Sequence, residues 1–239
     1  MNPRLRFYAI YLLPVALVVG VIVMLDIAGT DALVSGWFFD AHAGEFPWRH
    51  NGFLEVVMHH WTKYLVALAA VTAFAGYMIS FLTPQLKPLR PSFLFVVLAL
   101  ALAPFAVVVM KFFSTRHCPW DVAGFGGIVP YVSLLESYPA GIAAGHCFPA
   151  GHASTGFCLF AFHFLGRALA SPLLARAGFA LGLAAGLSFG FVRIVQGAHF
   201  VSHVLWSGVV CWIVIVVLYD LIIEPHQTDR HLKPAGAAH

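Results

Sequence analysis

The sequence predicts an all-α integral membrane protein with six transmembrane helices, both termini cytoplasmic, and an interfacial segment in the first outer loop. Three observations predict it. The 239-residue chain is 61% hydrophobic and only 10% charged, and its mean hydropathy of +0.87 is too high for a soluble domain of this size. Six stretches approach the roughly 20 mostly apolar residues that cross a bilayer. Lys and Arg divide unevenly between alternating connections.

The six stretches cover about 7 to 25, 62 to 81, 93 to 110, 153 to 170, 177 to 195 and 201 to 222. The first follows Arg4 and Arg6 but runs longer than the roughly 7 to 15 apolar residues of a signal peptide and lacks a small-x-small cleavage site, so a retained helix is expected. The fourth is the least apolar, with polar residues in its first turn and Arg167 near its end. In the fifth, Gly182, Gly186 and Gly190 recur every four residues, a pattern for close helix packing. One side of the membrane then holds Arg4, Arg6, Lys87, Arg90, Arg167, Arg176, Arg230 and Lys233, eight of the thirteen basic residues, and is expected to be cytoplasmic. The whole chain reads as a single domain over 1–239, with a cytoplasmic tail from about 224 that has disordered composition.

The long connections, 26 to 61 and 111 to 152, fall outside. The first mixes aromatics with polar residues, as a helix in the headgroup region does. Trp37, Trp48 and Trp61 read as belt residues, and an anchoring role is favoured over a catalytic one for His59 or His60. The second opens with "KFFSTRHCPWDVAGFGG" and closes with "GHCFPAGHAST".

Three outer helix ends therefore carry polar chemistry: Lys111; Pro149, Ala150, Gly151 and His152; and Arg193, His199 and His203. A helix start offers free N–H groups and the positive end of the dipole to an anion. Cations suit a phosphate, and two histidines can serve as nucleophile and general acid. Together they point to phosphoryl transfer.

These residues resemble the three signature motifs of the type 2 phosphatidic acid phosphatase family, membrane lipid phosphate phosphatases. The family pattern is Lys, six residues, Arg-Pro; Pro-Ser-Gly-His; then Ser-Arg, five residues, His, three residues, Asp. This chain keeps Lys111, Pro119, Pro149, Gly151, His152, Arg193 and His199. It departs at Cys118 for Arg, Ala150 for Ser, Val192 for Ser and His203 for Asp. The resemblance implies that His199 attacks phosphorus, that His152 is the general acid, and that Lys111, Arg193 and N–H groups at Ala150 and Gly151 hold the phosphate. Arg116 or His117 then stands in for the missing Arg. His203 would accept a hydrogen bond from His199 but brings no negative charge, a role for which Asp121 and Glu136 are candidates in the same loop.

Cys118 and Cys147 lie outside, either as a disulfide joining the first two motifs or as free thiols. No cofactor and no metal is needed. A zinc site of His199, His203 and either His152 or His146 is the rival, but it lacks the Glu of HExxH and faces two cations. The implied substrate is a lipid phosphate or diphosphate drawn from the bilayer, with undecaprenyl diphosphate favoured. Lipid A phosphatase, lipid-to-lipid phosphotransferase and non-catalytic lipid binder or transporter are the alternatives. The expected location is a bacterial inner membrane with the site facing the periplasm or exterior. Nucleic-acid binding has no support, because no long basic run exists.

Overall fold

A computed structural model describes residues 3–55 and 62–226; His59, His60, Trp61 and the tail beyond 226 lie outside the described residues. The elements are α1 (Pro3–Ile27), α2 (Thr30–Gly36), α3 (Gly52–Glu55), α4 (Thr62–Ile79), α5 (Arg90–Phe113), α6 (Gly151–Phe157), α7 (Ala161–Ala168), α8 (Pro172–Val195) and α9 (Val201–Ile222). Among the described residues there is no β-strand, only isolated bridges that pair Asp40 with Glu45 and Val122 with Val129.

Four of the six expected stretches form helices long and apolar enough to cross a membrane: Arg4–Ile27, Pro84–Phe113, Pro172–Val195 and Val201–His226. The other two are helical but shorter. The apolar part of α4 is Tyr64–Ile79, roughly 24 Å at 1.5 Å per residue, less than a hydrocarbon core of about 30 Å. The fourth stretch is interrupted by a 3-10 turn at Cys158–Phe160 between α6 and α7. Its side chains bond back to carbonyls one turn earlier, Ser154 Oγ to Gly151 O at 2.6 Å and Cys158 Sγ to Thr155 O at 3.0 Å, contacts that bend helices.

Local signals set the main boundaries. Helix α8 begins with Ser171 as N-cap, accepting from the Leu174 N–H, and Pro172 in the first turn, where a missing N–H costs nothing. It ends at Gly197, whose φ of 70° suits a residue without Cβ.

Helices α5, α6, α7, α8 and α9 pack around Phe95, Phe157, Phe160, Phe164, Cys211 and Ile215. The glycine stripe of α8 is a packing surface: a Cβ on Gly186 would lie 2.2 Å from a Phe157 ring carbon, and one on Gly190 would lie 2.2 Å from Val204. Opposite, a Cβ on Gly156 would meet the Gly186 nitrogen at 2.4 Å. Helix α1 closes on α9 through Tyr8 Oη, which donates to Asp220 at 2.9 Å, and Trp212 Nε1, which donates to Tyr11 O at 3.0 Å. The two ends of the described chain thus share one end of the bundle. Leu13, Leu17 and Met24 on α1 and Phe105, Phe112 and Phe113 on α5 are exposed, as lipid-facing residues of a multi-pass membrane protein are.

The segment between α1 and α4 also packs against the bundle. Trp37 and Trp48 face outward, but Phe46 is buried against Gly197, where an added Cβ would be 2.3 Å from its ring. Asp31 in α2 accepts hydrogen bonds from Ser202 N–H, at 2.9 Å, and from Ser202 Oγ. The segment therefore braces the α8–α9 junction.

Candidate active site

The run "VQGAHF" breaks the apolar stretch in two. With Gly197 left-handed, its N–H caps Ile194 O and the Ala198 N–H caps Arg193 O, both at 2.9 Å, and Phe200 is extended before α9 starts. Arg193 thus lies in the last turn of α8, His199 in the connection, and His203 in the first turn of α9. A continuous helix would place Arg193 and His199 on different faces; the break lets them converge.

The opposing wall comes from Lys111 in the last turn of α5 and from the connection to α6. Cys118 and Cys147 are joined by a disulfide with Cα atoms 5.3 Å apart. Backbone bonds from Gly145, His146 and Cys147 N–H to the carbonyls of Thr115, Ser114 and Arg116 zip the two ends of this loop together. The start of α6 is then pinned to α9: Ala150 N–H donates to His203 O at 3.1 Å, and Ser207 Oγ donates to Ala150 O at 2.9 Å. The Ala150 N–H is consequently engaged by protein.

His199 is buried, and the groups whose charges act on it are His203, Lys111, Arg193 and His152. Burial first, then these neighbours, push its pKa well below the usual histidine range, so it is neutral at ordinary pH. Its Nδ1 is 3.5 Å from Cys147 Sγ, and its ring meets that of His203 edge-on with centroids 5.8 Å apart. Arg193 is held by Gln196 Oε1 at 2.7 Å and lies 6.0 Å from the Trp120 ring, which Arg49 approaches to 4.5 Å. A neutral imidazole beside Lys111, Arg193 and a second histidine can attack a phosphate while the phosphate's negative charge is neutralised.

The structure does not bring every expected residue to this cluster. Arg116 donates to three loop carbonyls, Ser133, Leu134 and Glu136, and serves as the loop's internal scaffold. His117 is buried, with Nε2 2.9 Å from Ala143 O. Asp121 accepts from Cys118 N–H, Glu136 accepts from Ser133 N–H, and neither is placed against His199. His146 stacks on Phe112. As for a metal, ligand atoms of Cys147, His199 and His203 lie within 4.8 Å of one another, but the sulfur is bound in the disulfide and is no thiolate.

Sequence reading missed Trp120, Gln196 and Arg49 around Arg193, and Asp31, which holds Ser202 beside His203. Of these, only Asp31 carried a signal: an acid just beyond an apolar helix, in a segment otherwise read as an anchor.

The PAP2 superfamily model matches residues 92–224, more than half of the chain. A "Lipid A 4'-phosphatase" of Francisella tularensis subsp. novicida (strain U112) is 27% identical over 205 residues, spanning 82% of this chain and 88% of the relative. No solved structure matches the chain. The matched range contains Lys111, His152, Arg193 and His199, and the chain belongs to the PAP2 superfamily, the type 2 phosphatidic acid phosphatases.

Proposed function

We propose that this protein hydrolyses the phosphate monoester of a lipid A-type glycolipid at the outer face of a bacterial inner membrane, through a phosphohistidine and without a metal. The observation that carries it is the buried, neutral His199 among Lys111, Arg193 and His152. His199 attacks phosphorus in line while His152 protonates the leaving lipid oxygen. Lys111, Arg193 and the Gly151 N–H neutralise the equatorial oxygens. His152 then takes a proton from water, which attacks the phosphohistidine and releases phosphate.

The lipid A relative supports the substrate, and the exposed Trp37, Trp48, Phe112 and Phe113 suit entry from the headgroup region. Undecaprenyl diphosphate would use the same residues.

The test is phosphate release, in excess EDTA, from lipid A, undecaprenyl diphosphate, phosphatidylglycerol phosphate and phosphatidic acid, comparing the purified protein with His199→Ala. EDTA-resistant release that is fastest on lipid A and falls roughly 10³-fold or more in the variant is expected. Fastest release from undecaprenyl diphosphate would replace the substrate. Activity that EDTA abolishes and zinc restores, or that survives His199→Ala, would overturn the mechanism.

A further inference from the structure

The position one turn after His199 carries an imidazole, so the charge that His199 gains on phosphorylation has no carboxylate beside it on α9. Behind His203, however, lies a cavity of about 10 Å³ lined by Asp26, Asp31, Arg116, His117, Tyr131 and His203, among others. That is about the volume of one water, and a buried water needs two to four polar partners. Two buried atoms of these lining residues have no hydrogen-bond partner: Tyr131 Oη and His203 Nδ1. Unmet buried polar atoms are costly enough that each calls for an occupant or a role.

The acids supply the rest. Asp26 accepts from Leu134 N–H through both oxygens, at 3.0 and 3.2 Å. Asp31 accepts from Ser202 through both of its oxygens and from the Val201 backbone, which leaves one of its four lone-pair sites for a further donor. Arg116 commits its guanidinium to the loop carbonyls. Ser202 ties Asp31 to the residue next to His203, and Phe200 stacks edge-on against both Tyr131 and His203, with centroids 5.6 and 5.3 Å apart. The acid, the phenol and the imidazole form one unit.

We propose that Asp31 is the carboxylate of this site, acting as a positioning residue across one water held between Tyr131 Oη and His203 Nδ1, so that it fixes the ring of His203, which meets that of His199 edge-on. The inference rests on the reading of His199 as nucleophile. Burial chiefly, with Asp26 adding and the hydrogen bonds from Ser202 and the Val201 backbone opposing, pushes the Asp31 carboxyl up to about 6. The ionisable groups around the cavity are Asp26 on α1, His203 on α9, and Arg116, His117, Tyr131 and Tyr138 in the connection between α5 and α6, with Glu136 acting on Tyr131. Burial raises the Tyr131 phenol further, so it remains a donor. As pH falls through about 6, Asp31 takes a proton and the unit loses its charge, while His199 stays neutral.

The experiment uses full-length protein in detergent micelles, with the four lipids above and the one turned over fastest chosen for kinetics from pH 5 to 9. Asp31→Asn keeps an acceptor for Ser202 N–H and a polar group for its hydroxyl. We expect kcat to fall about 10- to 100-fold, the range seen when an orienting partner is lost, with KM within about twofold. The acid limb near pH 6 should vanish in this variant. A substrate phosphate ionising in that range would leave its limb in both enzymes, which separates the two causes. Tyr131→Phe should lower kcat, and adding it to Asp31→Asn should cost little more. The inference fails if Asp31→Asn keeps kcat within about threefold or retains a limb that Tyr131→Phe also leaves untouched. It also fails if activity and melting temperature fall together at pH 8. His199→Ala run alongside distinguishes the failures: an inactive His199→Ala with a fully active Asp31→Asn sinks only the relay, whereas an active His199→Ala, or no turnover of any lipid, sinks both readings.

Discussion

Removing the disulfide should loosen the connection between α5 and α6 by an amount that follows from its loop. Cys118 and Cys147 are 29 residues apart, and the chain-entropy relation for a closed loop of that length gives about 12 cal/mol/K, or about 3.6 kcal/mol at 25 °C. For a chain of this size each kcal/mol moves the melting temperature by about 2 to 4 °C, so a drop of about 7 to 14 °C is expected. The perturbation is Cys118→Ala with Cys147→Ala, read by tryptophan fluorescence melts in detergent with and without reductant. Oxidised wild type should melt highest. Reduced wild type and the double variant should coincide, and the variant should ignore reductant. Activity should fall as well, because Cys147 Sγ is 3.5 Å from His199 Nδ1 and the loop ends carry Lys111 and Gly151. Thiol titration in denaturant should find two reactive cysteines of the four before reduction, Cys158 and Cys211. If wild type melts within about 2 °C in both states while titration shows full reduction, the loop is held by its other contacts and the entropic reasoning is refuted.

Other outcomes follow from single contacts. Gly156→Ala should cost about 1 to 3 kcal/mol and reduce folded yield, because its Cβ meets backbone of α8 at 2.4 Å; Gly20→Ala, with nothing within 4 Å, should be neutral or slightly stabilising by melt. Arg116→Lys should lower thermal stability but leave inhibition by vanadate within about twofold, since that guanidinium bonds loop carbonyls, whereas Arg193→Lys should weaken vanadate inhibition about tenfold or more. Asp31 also predicts a pH dependence of stability. Its carboxyl is raised from 3.8 to about 6 in the fold, so the folded state holds the proton more tightly; this stabilisation is full below about 3.8 and lost as pH rises through 6. The difference is about 3 kcal/mol, and Asp31→Asn should therefore melt above wild type at pH 8 and converge with it near pH 4.

Hydropathy made the long helices legible because a bilayer selects on local composition: Arg4–Ile27, Pro84–Phe113, Pro172–Val195 and Val201–His226 each fall on an apolar stretch read from the chain. Length alone overcounted, since the 3-10 interruption at Cys158–Phe160 depends on side chains bonding back to the backbone. Lys111, His152, Arg193 and His199 were legible as a set because each is a polar residue at an apolar helix end. By contrast, Arg116 was expected at the phosphate for its nearness in sequence to the altered position, and the fold instead spends its donors on carbonyls 17 to 20 residues away.

The chain by itself determined the solvent, the main helices and the identity of the charged and imidazole groups, because those follow from composition and from residues near one another in sequence. Only the tertiary structure decided which of those groups share a site, and which acid stands behind them. Asp31 meets Ser202 across 171 residues, and nothing local to either position encodes the bond. It exists because the segment between α1 and α4 folds back over the α8–α9 junction, where a buried carboxylate must find hydrogen-bond donors.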